Sequence, residues 1–417
     1  MTKGVIHIVN SQALGGGIGT VLNYLQEGLN QTGSYQSTVL KTHADDCGRG
    51  GYEIRERRQE GQFDKFIYSP TELQQELAQY DIIHIHGIPS YRILEALDTL
   101  REKKRCPKIV DTCHSSVKKE LKAYTETAKG SDDGAVLEDL IQRDILNRPG
   151  PFCDTYWGSA IYRQERVMTL ADSIQHMNTS YKREILDEYS AQANAHKHTV
   201  IYNGVKILPE EVLSERPKQK NLIYCGRFAA EKGIDELIEA LPFILEQHPE
   251  ATIKIVGGDV SGEFVHQKQE KVLRELQRQL GQEKMYAYAT RIEFTGWISD
   301  KRRISELYDW CDFVIVPSKD ESFCLTVAEA LNHKRIPIMT ETPSLRELYL
   351  EQEVGLGIDI DERNGLGIAK VVNAALTNIE DQKLDEMTEK GRELLKERYS
   401  LEKVLNEQLR RYDQLTQ

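Results

Sequence analysis

The sequence predicts an α/β protein with parallel sheets, divided into two domains. Short runs of β-branched residues alternate with amphipathic helical stretches along the whole chain, which is typical of parallel strands covered by helices on both faces. The 417 residues exceed one ordinary core and suit two domains of about 200 residues each. A passage rich in Pro, Glu and Lys at residues 208–220 has the composition of an interdomain linker.

The first half of the chain carries a series of predicted strands separated by helical stretches, among them one after Thr20 and one around residues 71–80. The stretch 115–165 interrupts the alternation, and its length exceeds a normal connection, so we expect helices within it. The predicted strands lie at residues 5–9, 37–40, 81–86, 108–111, 171–176 and 199–202.

The second half repeats the alternation of strands and helices. Its last predicted helix, residues 401–417, has apolar residues at helical spacing, so one face is expected to pack on the body of the protein. We therefore predict a first domain at residues 1–207, a second at 208–398 and a closing helix at 399–417. The predicted strands lie at residues 221–225, 252–256, 291–295, 312–316 and 335–339.

Composition excludes several classes of protein. The net charge of −12 argues against broad nucleic-acid binding, which depends on Lys and Arg neutralising phosphates. Apolar runs do not approach the roughly 20 residues that span a bilayer, and the first strand begins without a basic and apolar leader, so a cytoplasmic protein is predicted. The seven cysteines form no C-x-x-C pair, which suits reduced thiols. We predict no metal and no resident cofactor.

One basic stretch stands out in this acidic chain. Lys and Arg are concentrated between Arg101 and Lys122. The simpler interpretation is a solvated helix end and loop, because charge runs are usually surface features. The alternative is a docking patch for an anionic acceptor or for anionic lipid, which would give peripheral contact with the inner face of the membrane.

A glycine-rich loop follows the first predicted strand. Gly15, Gly16 and Gly17 precede a predicted helix, and glycines at such a turn let backbone N–H groups approach a phosphate closely. The dinucleotide fingerprint is not met, because Thr20 occupies the position of its third glycine. A purely structural tight turn explains this loop about as well as a ligand loop does.

Two cations follow the first strand of the second half. Arg227 and Lys232 come directly after the strand that ends at Cys225, at the carboxyl edge of the sheet, where open α/β folds bind ligands. A guanidinium and an ammonium five residues apart suit a diphosphate. The alternative is an exposed Arg together with a Lys that pairs with Glu231 or Asp235.

The strongest local pattern is a strand, a loop and a helix at residues 312–331. Glu321 lies in the loop, and Glu329 lies about two turns along the helix. The N–H groups at the start of that helix, from Phe323 to Thr326, face the same loop. Such a site offers carboxylates to sugar and ribose hydroxyls beside a positive helix end for phosphate.

These motifs resemble those of glycosyltransferase family 4, also called the group 1 type, over nearly the full chain. The specific part is the GR-x4-KG stretch at Gly226 to Gly233, the pair Glu321 and Glu329, and the R-Y-S segment beginning at Arg398. The resemblance implies the GT-B fold, in which two Rossmann-like domains have parallel sheets that face across a cleft. It also implies metal-independent transfer of a sugar with retention, and a last helix that crosses back to the first domain.

The resemblance assigns roles in the second half residue by residue. Arg227 and Lys232 would hold the donor diphosphate, Glu321 the sugar hydroxyls and Glu329 the ribose. The start of the helix would add backbone contacts at Phe323, Cys324 and Leu325. The region that reads the base would be Gly257, Arg291 and Ile292, mainly through backbone, which leaves uracil, guanine and adenine open.

In the first half the resemblance points to the glycine loop and to two turns. Backbone amides of Gly16 and Gly17 would approach the phosphate, and His114 would lie beside the transferred sugar. Taken alone, His114 is as readily a half-buried structural side chain. Asn203 matches a turn near the donor, although Lys206 replaces the Asp usual there.

His84 and His86 alternate on one predicted strand and so point to the same face. A metal site needs a third ligand, and the sequence around this strand offers none. The family pattern has a core strand here, so a structural role is predicted.

The predicted function is transfer of a hexosyl group from a nucleotide-diphosphate sugar, UDP above all, to a hydroxyl acceptor, as in bacterial-type glycan biosynthesis. Two alternatives stay open: a sugar phosphorylase or nucleotide-sugar epimerase, and a non-catalytic subunit of a glycosyltransferase complex. The acceptor is open among a glycan, a lipid-linked sugar, a small metabolite and a protein. The region expected to shape its site, residues 41–62 and 115–165, carries no readable motif.

Overall fold

The chain folds into two units. The computed structural model describes residues 2–10, 17–42, 52–55, 65–67, 69–103, 106–128, 156–258 and 263–417. Unit 1 comprises Met1–Gly204 and Leu401–Gln417, and unit 2 comprises Val205–Ser400. The sequence placed these boundaries at 207/208 and 398/399, and the structure places them at 204/205 and 400/401.

Unit 1 is built on an eight-stranded sheet in the order β4-β3-β2-β1-β5-β6-β7-β8. The strands β1, β2 and β5 to β8 pair in parallel, whereas β3 pairs with β2 and β4 in antiparallel fashion at one edge. The sequence predicted the parallel strands and missed the two edge strands. The bounds are β1 Lys3–Asn10, β2 Tyr35–Thr42, β3 Tyr52–Arg55, β4 Lys65–Ile67, β5 Ile82–His86, β6 Lys108–Thr112, β7 Ser173–His176 and β8 His198–Val200.

Helices cover both faces of this sheet. Ser69 accepts a hydrogen bond from the N–H of Glu72, whose side chain accepts in return from the N–H of Ser69, so a capping box starts α2. Asn178 caps α6 in a similar way. The bounds are α1 Gly17–Gln31, α2 Pro70–Leu77, α3 Tyr91–Arg101, α4 Val117–Ala128, α5 Tyr156–Leu170 and α6 Thr179–Glu188.

The last helix, α14 (Leu401–Thr416), belongs to unit 1. Tyr412 is fully buried in a cluster with Tyr35 and apolar residues of β1, β5 and β6. A Cβ added to Gly28 of α1 would lie 2.5 Å from Leu405 Cδ2, so the two helices touch where α1 lacks a side chain. Asp413 accepts a hydrogen bond from the Tyr35 hydroxyl at 2.7 Å.

Unit 2 contains a six-stranded parallel sheet in the order β11-β10-β9-β12-β13-β14. The sequence predicted all but the edge strand β14. The chain runs outward from β9 on one side and resumes at β12 on the other, so the strand order reverses between them. The strand bounds are β9 Asn221–Gly226, β10 Thr252–Gly257, β11 Ile292–Gly296, β12 Phe313–Val316, β13 Ile336–Thr340 and β14 Leu356–Ile358.

Several helices of unit 2 pack on a large apolar core built from alternate residues of β9, β10 and β12, which lie on one face of the sheet. One of them, α8, bends at Gly281, where φ is 81°. The bounds are α7 Ile234–Gln247, α8 Glu263–Ala289, α9 Lys301–Trp310, α10 Leu325–Asn332, α11 Pro343–Leu348, α12 Gly365–Asn378 and α13 Asp381–Leu394.

The passage predicted as a linker is fastened to unit 2 by buried arginines. Arg335, fully buried, donates to the carbonyl of Ser214 at 3.3 Å, and Arg392 donates to that of Leu208 at 2.8 Å. Arg216 lies 3.3 Å from the buried carboxylate of Asp312. Burying these cations requires paired acceptors, and backbone carbonyls of the passage supply several of them. The passage that the composition predicted as a linker therefore belongs to unit 2, although most of its side chains are exposed.

In the part of the chain that the structure describes, every helix is too short or too polar to cross a lipid bilayer.

Several titratable side chains of unit 1 are buried without a counter-charge. Burial lowers the pKa of His7 and His176 to about 3, and that of His114 and His198 to about 4. Burial has the opposite effect on an acid and raises the pKa of Asp111 to about 8. All five groups are therefore neutral at pH 6 in the folded protein.

We expect the free energy of unfolding to fall steeply between pH 6 and pH 5. In this window the unfolded state binds protons on the four histidines that the folded state leaves neutral, whereas Asp111 is protonated only when folded. Counted alone, these five groups give the unfolded state a net excess of about three protons, and His84 and His86, whose pKa values burial lowers well below the ordinary value, add to it. The loss is therefore at least about 4 kcal/mol per pH unit. Urea unfolding at pH 7, 6 and 5 measures this slope.

The His176→Phe, His198→Phe double variant, which removes two of the four titrations, should show a shallower slope. A stability that stays constant or rises as the pH falls from 6 to 5 would contradict buried neutral imidazoles.

Candidate active site

The site in unit 2 forms where the strand order reverses. The strands β9 and β12 are neighbours in the sheet, and both run in the same direction, so their carboxyl ends meet at one edge. Arg227 and Lys232 follow β9, and Glu321 follows β12. Loops at such a reversal are where open parallel sheets bind ligands. The structure thus brings together the three charged residues that the sequence predicted.

An ion pair joins the two loops. The ammonium of Lys232 lies 2.8 Å from Glu321 Oε1, and the hydroxyl of Ser318 donates to the same oxygen at 2.9 Å. Burial alone would lower the pKa of Lys232, but the carboxylate of Glu321 outweighs it and the pKa rises above its ordinary value. The lysine therefore keeps its positive charge at neutral pH.

Gly233 lets the two loops approach each other. Its φ is 67°, and a Cβ added there would lie 2.0 Å from the carbonyl oxygen of Pro317. Both the left-handed backbone and the contact exclude a side chain. Since Gly233 also precedes the first residue of α7, it fixes where the Lys232 loop ends and the helix begins.

The second loop leads into helix α10 through a constrained residue. Cys324 has a φ of 63°, a left-handed conformation that is uncommon for residues other than glycine. Phe323, 1% exposed, packs edge-on against Tyr349 and Tyr399, and its carbonyl accepts a hydrogen bond from the Tyr349 hydroxyl at 3.0 Å. These contacts hold the start of α10, where Leu325 is the first helical residue, beside Glu321.

Glu329 lies one turn further along α10. Its Oε2 accepts a hydrogen bond from the buried Tyr308 hydroxyl at 2.8 Å, and burial raises the pKa of its carboxyl group. Thr326 of the same helix donates to the carbonyl of Cys225 at 3.2 Å, which ties α10 to the end of β9. Sequence reasoning missed Tyr308, because its partnership with Glu329 depends on how α9 packs against α10.

Arg227 is the most exposed member of the site. Its side chain is 60% exposed and lies 2.8 Å from Glu231 in its own loop. The sequence offered two interpretations of these cations, a pair that holds a diphosphate and an exposed Arg beside a paired Lys. Arg227 is exposed and pairs locally, as in the second interpretation. Lys232 instead pairs with Glu321 across the two loops. Because the guanidinium itself is mostly exposed, solvent weakens this pair and the side chain can turn to a ligand at little cost.

The structure separates the residues expected to read the base. Gly257 ends β10, and a Cβ added there would lie 1.8 Å from the carbonyl oxygen of Gly226, so it reaches the ligand edge. Arg291 and Ile292, by contrast, lie at the amino end of β11, where Ile292 pairs with Ile253 near the start of β10. Five residues of strand, roughly 17 Å, separate them from the carboxyl edge.

The residue that follows the carboxyl end of β11 is Trp297, whose side chain is 38% exposed. It lies at the edge where Arg291 was expected. In the sequence, this aromatic residue directly follows a strand that ends in Thr295-Gly296. The prediction chose residues at the start of that strand instead.

The predicted residues of unit 1 lie at the corresponding edge of its own sheet or near it. His114 follows β6, and its Nε2 lies 3.3 Å from Nδ1 of His86. Asn203 is buried beyond the end of β8. Gly17 is the exposed first residue of α1, whereas Gly15 and Gly16 lie outside the described residues.

A cavity of about 30 Å³ lies on the face of this sheet that α1 and α14 cover. Among the residues that line it are His84, His86, Thr112, His114, Gln175 and Asn203.

His7 supplies the third imidazole that the sequence did not reveal. His7 lies on β1 and pairs in register with His84 on the neighbouring strand β5, and ligand atoms of His7, His84 and His86 lie within 4.8 Å of one another. The rings of His84 and His86 are stacked, with centroids 4.1 Å apart, so their in-plane lone pairs run nearly parallel. That arrangement suits hydrogen bonding better than a shared ion, which needs converging lone pairs.

Three cations of the basic stretch pair with carboxylates in the part that the structure describes. Arg101 lies 2.8 Å from Asp172, Lys118 lies 3.0 Å from Glu165, and Lys119 pairs with Glu184. These local pairs favour the interpretation as a solvated surface over that of a docking patch.

Comparison with protein families decides the class of the second half. Residues 209–394 match the family model described as glycosyl transferases group 1. These residues are a group 1 glycosyl transferase domain. The ion pair, Glu329 and the start of α10 all lie within it.

Relatives in other organisms carry related names. An uncharacterized glycosyltransferase of Methanocaldococcus jannaschii is 25% identical over 233 residues, which cover 52% of this chain and 55% of that protein. A glycogen synthase of Mycobacterium tuberculosis is 27% identical over 182 residues, or 43% of this chain and 39% of that protein. The matched stretches thus span about half or less of these curated relatives.

Solved structures match over nearly the whole chain. The sucrose-phosphate synthase of Thermosynechococcus elongatus has a TM-score of 0.66 and 18% identity, covering 99% of both chains. HepE of Anabaena, solved with UDP and glucose, has a TM-score of 0.62 and 14% identity over 99% of both chains. These likenesses confirm the predicted GT-B fold of two Rossmann-like units.

Gly233→Ala should destabilise the protein more than Gly33→Ala. The two glycines have similar positive φ, 67° and 69°, so both substitutions incur the left-handed backbone cost of about 1–2 kcal/mol. Only at Gly233 would the added methyl collide with Pro317, which should bring the loss of unfolding free energy to about 3 kcal/mol or more, whereas a Cβ at Gly33 meets none of the described residues within 4 Å. Urea unfolding of the two variants measures the difference, and equal losses would contradict the close contact.

Proposed function

We propose that this protein is a retaining glycosyltransferase that moves a hexosyl group from a nucleotide-diphosphate sugar to a hydroxyl acceptor. The observation that carries the proposal is the 2.8 Å ion pair between Lys232 and Glu321, beside the start of α10. It places a cation, a carboxylate and helix N–H groups at one sheet edge of a group 1 glycosyl transferase domain. That set matches the chemical groups of a sugar diphosphate.

The cations would stabilise the leaving diphosphate. When the glycosidic bond to the donor breaks, negative charge grows on the phosphate oxygens, and fixed positive charge lowers the barrier. Lys232 keeps its proton because Glu321 raises its pKa against the effect of burial. Arg227 can turn toward the phosphate, since its guanidinium is mostly exposed and solvent weakens its pairing with Glu231. The N–H groups at the start of α10 would add to this charge.

The carboxylates would bind hydroxyl groups of the donor. Glu321 accepts hydrogen bonds from Lys232 and Ser318 through Oε1, so its other oxygen can accept from a sugar hydroxyl. Glu329 has one oxygen held by Tyr308 and would bind the ribose through the other. Removing either carboxylate should weaken binding of the donor without removing the positive charge.

Retention follows if the acceptor attacks from the face that the diphosphate leaves. In that geometry an oxygen of the departing phosphate accepts the proton of the acceptor hydroxyl, so a strong protein base is not required. The new bond then forms on the same face as the old one. Because the protein's own cations would neutralise the leaving group, we also propose that the reaction needs no metal ion.

UDP is the favoured nucleotide in this proposal. Its support is the solved structure of HepE with UDP and glucose, which matches both units of this chain. The catalytic domain of starch synthase IV from Arabidopsis thaliana, also similar in fold, was solved with ADP and acarbose, so the panel of nucleotides to test includes ADP and GDP. The described cysteines are all free thiols, which supports a cytoplasmic enzyme.

Lys232→Ala should abolish stabilisation by the nucleotide and lower turnover. A ligand that binds only the folded protein raises the melting temperature according to RT ln(1 + [L]/Kd). We expect saturating UDP to raise the melting temperature of the unsubstituted protein but not that of the variant, and donor turnover to fall at least about 100-fold. The matched control is Lys268→Ala, which removes a part-buried lysine that pairs with Asp235 at 2.6 Å.

The outcome separates the proposal from its alternatives. If UDP, ADP and GDP all fail to stabilise the unsubstituted protein, the non-catalytic subunit becomes the better explanation. Turnover that requires inorganic phosphate would identify a sugar phosphorylase, and change of the donor sugar without any acceptor would identify an epimerase. Equal effects of Lys232→Ala and Lys268→Ala on nucleotide binding and turnover would contradict the proposed role of the ion pair between Lys232 and Glu321.

Slow hydrolysis of the donor, with water as the acceptor, should release the sugar first in the anomeric configuration of the donor. The same rate is expected in the presence of excess EDTA, because the charge on the diphosphate would be neutralised by Lys232 and Arg227. Proton NMR of the anomeric signal at early times measures both the anomer that is released first and the rate of its release. If the opposite anomer is released first, retention is excluded. If EDTA lowers the rate and added magnesium restores it, the reaction depends on a metal ion.

A further inference from the structure

Three imidazoles of unit 1 form a hydrogen-bonded row that ends at His114. Nδ1 of His7 lies 3.0 Å from Nε2 of His86, and Nδ1 of His86 lies 3.3 Å from Nε2 of His114. The ring planes of the two pairs are inclined by only 36° and 26°, with centroids 5.2 and 5.6 Å apart. Rings placed edge to edge in this way share protons between nitrogens, so the tautomer of each ring determines that of the next.

The far end of the row sets the direction of both hydrogen bonds. Nε2 of His7 is buried and has no hydrogen-bond partner among the described residues. A neutral imidazole carries one N–H, and a buried N–H without an acceptor is rarer than an unpaired acceptor. The proton of His7 therefore belongs on Nδ1 and is donated to His86. His86 then carries its proton on Nδ1 and donates to Nε2 of His114, which leaves the proton of His114 on Nδ1.

His84 does not compete for these protons. Its two nitrogens already have partners, the Tyr412 hydroxyl at 2.5 Å on Nδ1 and the Thr112 hydroxyl at 2.6 Å on Nε2. Thr112 donates its own proton to Gln175 Oε1 at 3.2 Å, so it accepts from His84. His84 is therefore protonated on Nε2, the opposite tautomer to that of the row. Although His84 stacks on His86, the two rings belong to separate hydrogen-bonded chains.

We propose that His7 and His86 are positioning residues that hold His114 as a neutral hydrogen-bond donor through Nδ1. This inference rests on the proposed function for one step, namely that the group receiving this hydrogen bond in catalysis is a hydroxyl of the transferred sugar, which is the role that the family resemblance gives to His114. The tautomer itself follows from the geometry of unit 1. His7 is two hydrogen bonds away from His114 and would act only through the row.

The arrangement gives His114 a constant chemical character. Burial holds the pKa of His114 at about 4 and those of His7 and His86 well below the ordinary value, so the row stays neutral at physiological pH. A neutral ring with its proton on Nδ1 can donate to a sugar oxygen but does not supply a proton as a general acid. Free imidazole side chains in water favour the other tautomer, so the row imposes a minority form.

The first test reads the tautomers directly in the full chain without substrate. Nitrogen-15 NMR of histidine-labelled protein distinguishes Nδ1–H from Nε2–H rings, and the His114→Ala variant identifies the His114 signals by their loss. We expect Nδ1–H for His7, His86 and His114, and Nε2–H for His84. An Nε2–H ring at His114 would overturn the proposal, whatever the enzyme does.

The second test uses two substitutions at His7. Asn places an amide N–H where His7 has Nδ1–H, so His7→Asn should preserve the tautomer of His114 and turnover within about twofold. His7→Leu removes the donor, should give a mixture of tautomers at His114, and should lower kcat about tenfold while stabilisation by UDP stays unchanged. In the His114→Ala background, His7→Leu should cause no further loss of kcat.

A loss of kcat that persists in the His114→Ala background, or one that His7→Asn shares, would show a merely structural role for His7 and overturn the proposal. If the protein turns over no nucleotide sugar at all, the proposed function fails, and the NMR measurement still decides the tautomer by itself.

Discussion

The site in unit 2 depends on the ion pair between Lys232 and Glu321. The two residues are 89 positions apart in sequence, and they meet because β9 and β12 are neighbours whose carboxyl ends lie at one edge. A pair of opposite charges that is only partly exposed would be costly if either partner were missing. Each loop therefore holds the other in place. The lack of a side chain at Gly233 and the buried ring of Phe323 fix the approach of the two loops, so the pair is as much a positioning element as an electrostatic one.

The sequence predicted those parts of the structure that depend on local order along the chain. Lys232 and Glu321 each follow a strand with a clear β-branched pattern, and parallel strands bring their carboxyl ends to one edge whatever their spacing in sequence. Arg291 shows the limit of this reasoning. It adjoins a correctly predicted strand but stands at its amino end, and the distance to the ligand edge follows only from the direction of the strand. Trp297, six residues later, stands at the edge where Arg291 was expected.

Other features could not be read because they depend on packing between distant segments. His7 gives no motif, and its relation to His84 comes from the register of two strands separated by more than 70 residues. Arg335 and Arg392 look like surface cations in the sequence, yet both are buried against the passage that precedes β9. A buried arginine needs acceptors whose position only the folded backbone defines. The composition of that passage therefore gave no sign of these contacts, whereas strand patterns described the sheets correctly.

The two units hold their candidate site residues in opposite charge states, charged in unit 2 and neutral in unit 1, at the same kind of sheet edge. In unit 2 a carboxylate keeps Lys232 charged, which suits binding of an anion. In unit 1 burial without a counter-charge keeps His114 and its neighbours neutral, which suits hydrogen bonding to a neutral hydroxyl. Since the pKa of Lys232 is raised and that of His114 lowered, neither group changes its charge between pH 5 and pH 9. The buried histidines do, however, make the free energy of unfolding sensitive to acid, because the unfolded chain binds protons that the folded chain does not bind. The acid limit of activity should then come from the stability of unit 1, since the charges of these two site residues persist as long as the protein remains folded.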